Sequence, residues 1–106
     1  MKRADLVTVA VSGVYGKPRP ALIVQADAFG KHPSVIVLPL TSEIHNTPLF
    51  RVTVNAGKST GLRKTSQIMV DKATAVPRLK LGPRIGHVDS TTMLSVEEAL
   101  RSFLGL

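Results

Sequence analysis

The sequence predicts a mainly β fold of the β-rich α+β kind: a small barrel or strongly curled sheet of about six strands, closed by one C-terminal amphipathic helix. Two observations carry this expectation. Short β-branched and apolar runs recur between Gly, Pro and Asn turns for most of the chain, and the apolar period changes only once, in the tail.

Leu6-Val7-Thr8-Val9-Ala10-Val11 is the first predicted strand, stopping at Ser12-Gly13. Ala21-Leu22-Ile23-Val24 and Val35-Ile36-Val37-Leu38 are continuous apolar runs, the pattern of strands buried on both faces, although short buried helices would share it. Phe50-Arg51-Val52-Thr53-Val54 alternates and reads as half exposed. Gln67–Asp71 and Arg84–Val88 are two further strand candidates. Turns are expected at Gly16–Pro20, Phe29–Pro33, Asn55–Lys58 and Leu81–Pro83. From Asp89-Ser90, good N-cap residues, Met93, Val96, Leu100 and Phe103 recur at three- and four-residue steps, which predicts a helix ending at Gly105. Neither a repeat nor a linker interrupts this order, so residues 1–106 are expected to form one domain.

Composition narrows the function classes. Fourteen Lys and Arg against seven Asp and Glu give a formal charge of +7, and the pI is near 10.4. Such an excess favours a polyanionic partner, because cations that contact phosphates release condensed counterions; a charge excess that only aids solubility is the plainer alternative. Tyr15, Phe29, Phe50 and Phe103 are the aromatic residues, too few for a row of base-stacking platforms. The chain has no cysteine, which excludes disulfides and thiolate metal sites. His32, His45 and His87 show no metal-ligand spacing, so no metal and no cofactor is expected. The opening Met1-Lys2-Arg3-Ala4-Asp5 does not read as a signal peptide. No apolar stretch approaches the roughly 20 residues that span a bilayer. A cytoplasmic protein without a membrane partner is the expectation.

Two local patterns bear on chemistry. In Lys17-Pro18-Arg19-Pro20 two prolines fix the backbone on either side of an arginine at the entry to a strand. A guanidinium on so stiff a junction suits bidentate phosphate binding, and it would equally serve as a salt bridge at the sheet end. Val37-Leu38-Pro39-Leu40-Thr41-Ser42 ends a strand in two adjacent hydroxyls, followed by a polar segment through His45-Asn46-Thr47-Pro48. Hydroxyls so placed can bind phosphate or form an ordinary turn, and spacing alone favours the turn.

Taken together, Gly16-x-x-Arg19-Pro20-Ala21-Leu22-Ile23-Val24, Val37-Leu38-Pro39-Leu40-Thr41-Ser42, Gly61-Leu62-x-Lys64-x-Ser66, Ile68-Met69-Val70-Asp71 and Ile85-Gly86-His87-Val88 resemble the succession of motifs in the MazF/PemK family of toxin endoribonucleases. The resemblance extends through Arg78-Leu79 and the terminal Ala99-Leu100 with Leu104-Gly105-Leu106, and so covers nearly the whole chain. It implies an SH3-like β-barrel, a homodimer, metal-independent cleavage of single-stranded RNA (chiefly mRNA) at short sequences, and a cognate antitoxin protein as partner. The reaction implied is attack of a 2′-hydroxyl on its own phosphate.

By the same resemblance Arg19 would be the essential arginine on the scissile phosphate and Thr41 the catalytic threonine that positions the reacting hydroxyl. Asp71 and His45 are further candidates for acid–base work, and Lys17, Ser42 and Lys72 for RNA contact. The chain departs from the family pattern in three places: a short segment from Val11 to Arg19, Lys72 after Asp71 where a neutral polar residue is usual, and Ala4 before Asp5. Ser66 is expected to bond backbone at a strand start, and Arg78, Lys80 and Arg84 form a basic cluster that either widens an RNA groove or is a charged turn. A gyrase-poisoning toxin of the CcdB kind and a non-catalytic SH3-like RNA-binding module are the competing functions. The first is disfavoured because CcdB-like proteins carry Trp at the end of the C-terminal helix and this chain has none.

Overall fold

The computed structural model describes residues 1–10 and 17–106. Val11, the stop expected at Ser12-Gly13, Tyr15 and the Gly16 that opens the first motif lie outside the described residues. Among the described residues there are seven strands: β1 (Asp5–Ala10), β2 (Pro18–Ile23), β3 (Ser34–Thr41), β4 (Arg51–Val54), β5 (Ser66–Met69), β6 (Thr74–Pro77) and β7 (Leu81–His87), followed by helix α1 (Ser90–Leu104). All pairings are antiparallel, in the order β4-β5-β3-β2-β1-β7, with β6 also pairing β3. The curled sheet is the small-barrel fold expected, with β4 and β7 at the two ends of the path.

The continuous apolar runs have a simple cause. Side chains alternate across a strand, and here both faces of the central strands are covered. Leu6, Leu22, Leu38, Leu40 and Ile68 pack with Met93 and Val96 of α1 on one face. Val7, Val9, Ala21, Ile23, Val35 and Val37 pack with Val76 of β6 on the other. One strand thus feeds two cores.

Helix α1 ends as the sequence indicates. Asp89 accepts a bond from the Thr92 N–H at 2.8 Å. Gly105 turns left-handed at φ 71°, while the N–H groups of Leu106 and Gly105 cap the carbonyls of Arg101 and Ser102. Along its stripe Met93 and Val96 are buried with Ala99, whereas Phe103 remains 51% exposed and packs on Phe50, ring centroids 6.0 Å apart. Arg3 ties the N-terminus to the helix through Glu97 at 2.7 Å.

Three sequence expectations are corrected. A strand over Gln67–Asp71 stops at Met69, because Val70–Lys72 form a 3-10 turn in which the Val70 N–H bonds the Phe50 carbonyl at 3.0 Å. β6, unforeseen, is drawn into the sheet by its register with β3, Val35 opposite Val76. The turn expected at Leu81–Pro83 is instead the start of β7, an end strand that pairs only β1 and shifts register along it, where a proline is tolerated.

Candidate functional site

Prolines shape the site. β2 and β3 pair as far as Ala21 opposite Pro39. Beyond that pair neither Pro20 nor Pro39 has an N–H to give, so the ladder ends and the strands part. Arg19 and Thr41 each lie two residues past the last pair, on the facing strand ends. Arg19 is therefore already within β2, opposite Val9 of β1, and not at a loop junction.

Two clefts meet at these residues. The first, about 510 Å3, is lined by Thr8, Pro18, Arg19, Pro20, Leu40, Thr41, Ser42, Gly61, Leu62, Arg63, Lys64 and Ser66. The second, about 360 Å3, is lined by Arg19, Pro39, Leu40, Thr41, Glu43, Met69 and Lys72. Arg19 and Thr41 are common to both. The first cleft presents three cations and no carboxylate; the second has an apolar floor with Glu43 and Lys72 at its edge.

Thr41 closes β3 opposite Gln67 of β5. Its Oγ1 accepts the Glu43 N–H at 3.1 Å, so the hydroxyl does form a local turn. That bond uses one lone pair and leaves the O–H free to donate. Forming the turn therefore does not use up the hydroxyl.

The segment after Thr41 is held by a residue that sequence reasoning missed. Gln67 is buried, and its side chain brackets His45: Nε2 donates to the His45 carbonyl at 2.7 Å and Oε1 accepts the His45 N–H at 3.0 Å. The imidazole is half exposed, with Nε2 3.5 Å from Glu43 Oε1. The hint in the sequence was an amide directly before the apolar run Ile68-Met69-Val70.

Asp71 and Lys72 diverge. Arg51 donates to both Asp71 oxygens, from Nε at 2.9 Å and Nη2 at 3.3 Å. This guanidinium bonding holds the Asp71 carboxyl below the ordinary aspartate value, with burial opposing it. Asp71 does not line either cleft, while Lys72 lines the second. A carboxylate so satisfied is a weak proton acceptor. Lys17 is exposed just before β2 and lines neither cleft.

The remaining charges are arranged away from the clefts. Burial raises the Asp5 carboxyl, but the Lys2 N–H and Arg84 outweigh it and leave it lowered. Asp5, Asp71 and Glu97 are thus matched by Arg84, Arg51 and Arg3. Arg78, in the 3-10 turn before β7, bonds the His32 and Phe29 carbonyls, and Arg84, within β7, bonds Asp5; neither they nor Lys80 lines the two clefts. Ser66 donates to the Lys64 carbonyl at 3.0 Å, as its place at a strand start suggested. Among the described residues Arg19, Arg63, Lys64 and Lys72 have no carboxylate within ion-pair distance, and no three acidic or histidine side chains cluster as metal ligands would. Among the described residues no helix is long and apolar enough to cross a membrane.

Comparison with known proteins agrees with this architecture. A protein of Mycolicibacterium smegmatis named as a probable endoribonuclease MazF is 43% identical over 107 aligned positions, covering all of this chain and 98% of its own. Endoribonuclease EndoA of Bacillus subtilis is 30% identical over 112 positions, covering all of this chain and 96% of its own. A solved mycobacterial endoribonuclease, in complex with its cognate antitoxin, superposes with a TM-score of 0.81 at 27% identity, over all of this chain and 96% of that one. Residues 2–104 match the family described as PemK-like, MazF-like toxins of type II toxin-antitoxin systems, and the chain belongs to that family.

Proposed function

We propose that this protein is the toxin of a type II toxin-antitoxin system, an endoribonuclease that cuts single-stranded RNA at the meeting point of the two clefts. The observation that carries the reading is the pairing of Arg19 with Thr41: a bidentate cation and an oriented hydroxyl on facing strand ends, each lining both clefts. Relatives named as endoribonucleases over essentially full length support the same activity.

The chemistry follows from what phosphodiester transfer needs. The ribose 2′-oxygen bonds to phosphorus as the P–O5′ bond breaks, leaving a 2′,3′-cyclic phosphate and a 5′-hydroxyl. One proton leaves the 2′-hydroxyl and one is delivered to O5′. Arg19 supplies a two-pronged donor to the non-bridging oxygens, where charge develops. Thr41, with Oγ1 fixed by the Glu43 amide, orients the reacting hydroxyl. Ser42 and Lys72, one on each cleft, contact the backbone on either side. His45 lines neither cleft but lies beside Glu43 at the edge of the second, and from there it is the candidate proton donor to the leaving oxygen. Asp71 is assigned to the fold through Arg51, and Lys17 to the approach of the strand outside the clefts.

The antitoxin would compete for this cationic surface, and solved neighbours include a relative bound to its own antitoxin. A groove beside α1, lined by Pro48, Leu49, Val52 and Ala99 together with Ser95, Glu98 and Ser102, is a candidate surface for a homodimer. A cytoplasmic site of action, on mRNA, fits both. One domain over residues 1–106 fits the family match. Neither a gyrase poison nor an inert RNA-binding module draws support from the relatives, which are named as nucleases.

The test is incubation of folded wild-type and Arg19→Ala protein with a long single-stranded RNA in excess EDTA, with ends mapped by primer extension. Discrete cuts by wild type that vanish in the variant are expected. Intact RNA with the wild type would overturn the reading.

A further inference from the structure

The first cleft has a wall that the proposed chemistry does not use. Arg63 and Lys64 stand on it, facing the cleft that Arg19 and Thr41 also line. They belong to the 55–65 segment, which is exposed for most of its length yet firmly seated. Gly61 is left-handed at φ 71°, and a side chain there would run into the Ile85 carbonyl. At Gly86 a side chain would collide with the Thr60 backbone. The His87 N–H bonds the Ser59 carbonyl at 2.9 Å, the Gly61 N–H bonds the Gly57 carbonyl at 2.9 Å, and Leu62 is buried as an anchor. Ser66 Oγ holds the Lys64 carbonyl from the other side.

A loop fixed by backbone contact on both flanks presents its two cations in a set place. No carboxylate lines the cleft to neutralise them. We infer that Arg63 and Lys64 form a second phosphate subsite, which binds the phosphodiester next to the scissile one and so sets how the strand runs past Arg19. The inference rests on the RNA-cleaving reading and deepens it. The cleft, at about 510 Å3, has room for a nucleotide between the two phosphates. The other cleft sets Glu43 among its cations Arg19 and Lys72, and its Pro39, Leu40 and Met69 lining suits the face of a base beside the backbone that Lys72 contacts.

The experiment uses an RNA oligonucleotide centred on the mapped cut, with a 2′-deoxy sugar at the scissile position so that it binds without reacting. Each phosphate in turn is replaced by an uncharged methylphosphonate, and binding to wild type and to the Arg63→Gln/Lys64→Gln protein is measured across a salt series. Wild type is expected to lose about tenfold in affinity at one phosphate adjacent to the scissile one. The variant is expected to bind the unmodified oligonucleotide about tenfold more weakly, with a salt slope reduced by about 0.7 per phosphate lost. It should be insensitive to the neutral linkage at that same position. If the variant, shown folded by its circular dichroism and melting curve, keeps the wild-type affinity, slope and methylphosphonate profile, the subsite is overturned while RNA cleavage stands. If wild type cuts no RNA, both readings fall together.

Discussion

Arg51 and Asp71 form a two-pronged ion pair between β4 and the 3-10 turn after β5, at 2.9 and 3.3 Å, with side chains only 12% and 19% exposed. This pair fixes the turn from which Lys72 reaches the second cleft. Because the folded Asp71 carboxyl lies below its ordinary value, its contribution is fully present above the unfolded aspartate pKa of about 3.9. It is lost as pH falls through the lower, folded value. Asp71→Asn is expected to cost about 1–3 kcal/mol at pH 7, from the loss of charge-assisted bonds. The difference from wild type should shrink toward zero in strong acid. Urea unfolding of both proteins from pH 7 downward checks this, and a pH-independent difference would contradict it.

Thr41 offers a sharper separation of roles. Thr41→Ser keeps the oxygen that accepts the Glu43 amide. Thr41→Val keeps the shape and removes the oxygen. Cleavage is expected to survive the first change and to fall about a hundredfold or more with the second, the scale for losing one aimed donor at a developing charge. Stability should fall by only about 1 kcal/mol, the ordinary worth of one hydrogen bond. A Thr41→Val protein that cuts at the wild-type rate would reduce Thr41 to a turn residue.

Gln67 is expected to act on motion. Gln67→Leu preserves volume in the strand but leaves the His45 amide and carbonyl without the partners that now bracket them. Hydrogen exchange at the His45 amide should accelerate about tenfold or more, while amides of β1 and β2 remain protected. Unchanged exchange at His45 would mean that the segment after Thr41 is held by something other than this side chain.

The sequence made some of this legible and hid the rest for identifiable reasons. The helix was readable at both ends because Asp89 and Gly105 are cap residues whose roles are local. Arg19 and Thr41 stood out through the resemblance of their motifs to the family's, because spacing alone left Arg19 open between phosphate binding and a salt bridge and favoured a turn at Thr41. β6 was not readable, because Thr74–Pro77 has little strand preference of its own and takes its conformation from the partner strand. Pro83 read as a turn because nothing local says that β7 lies at the end of the sheet path. The same holds for charge. Asp71 looked available until Arg51, distant in sequence, proved to occupy it. Arg63 carried no signal of its own and Lys64 stood out only as a motif position, because it is Gly61 and Gly86 that set their loop against β7.

β3 pairs with β2, β5 and β6 at once, and Thr41 is its last residue. During synthesis Arg19 and Thr41 leave the ribosome well before Ile68, which pairs with Leu40, or Ala75, which pairs with Ile36. Until those later strands arrive, β3 is a bare edge and its end has no fixed position against Arg19. Contacts this distant in sequence form late. A half-made chain therefore carries both residues without the geometry that would let them act together.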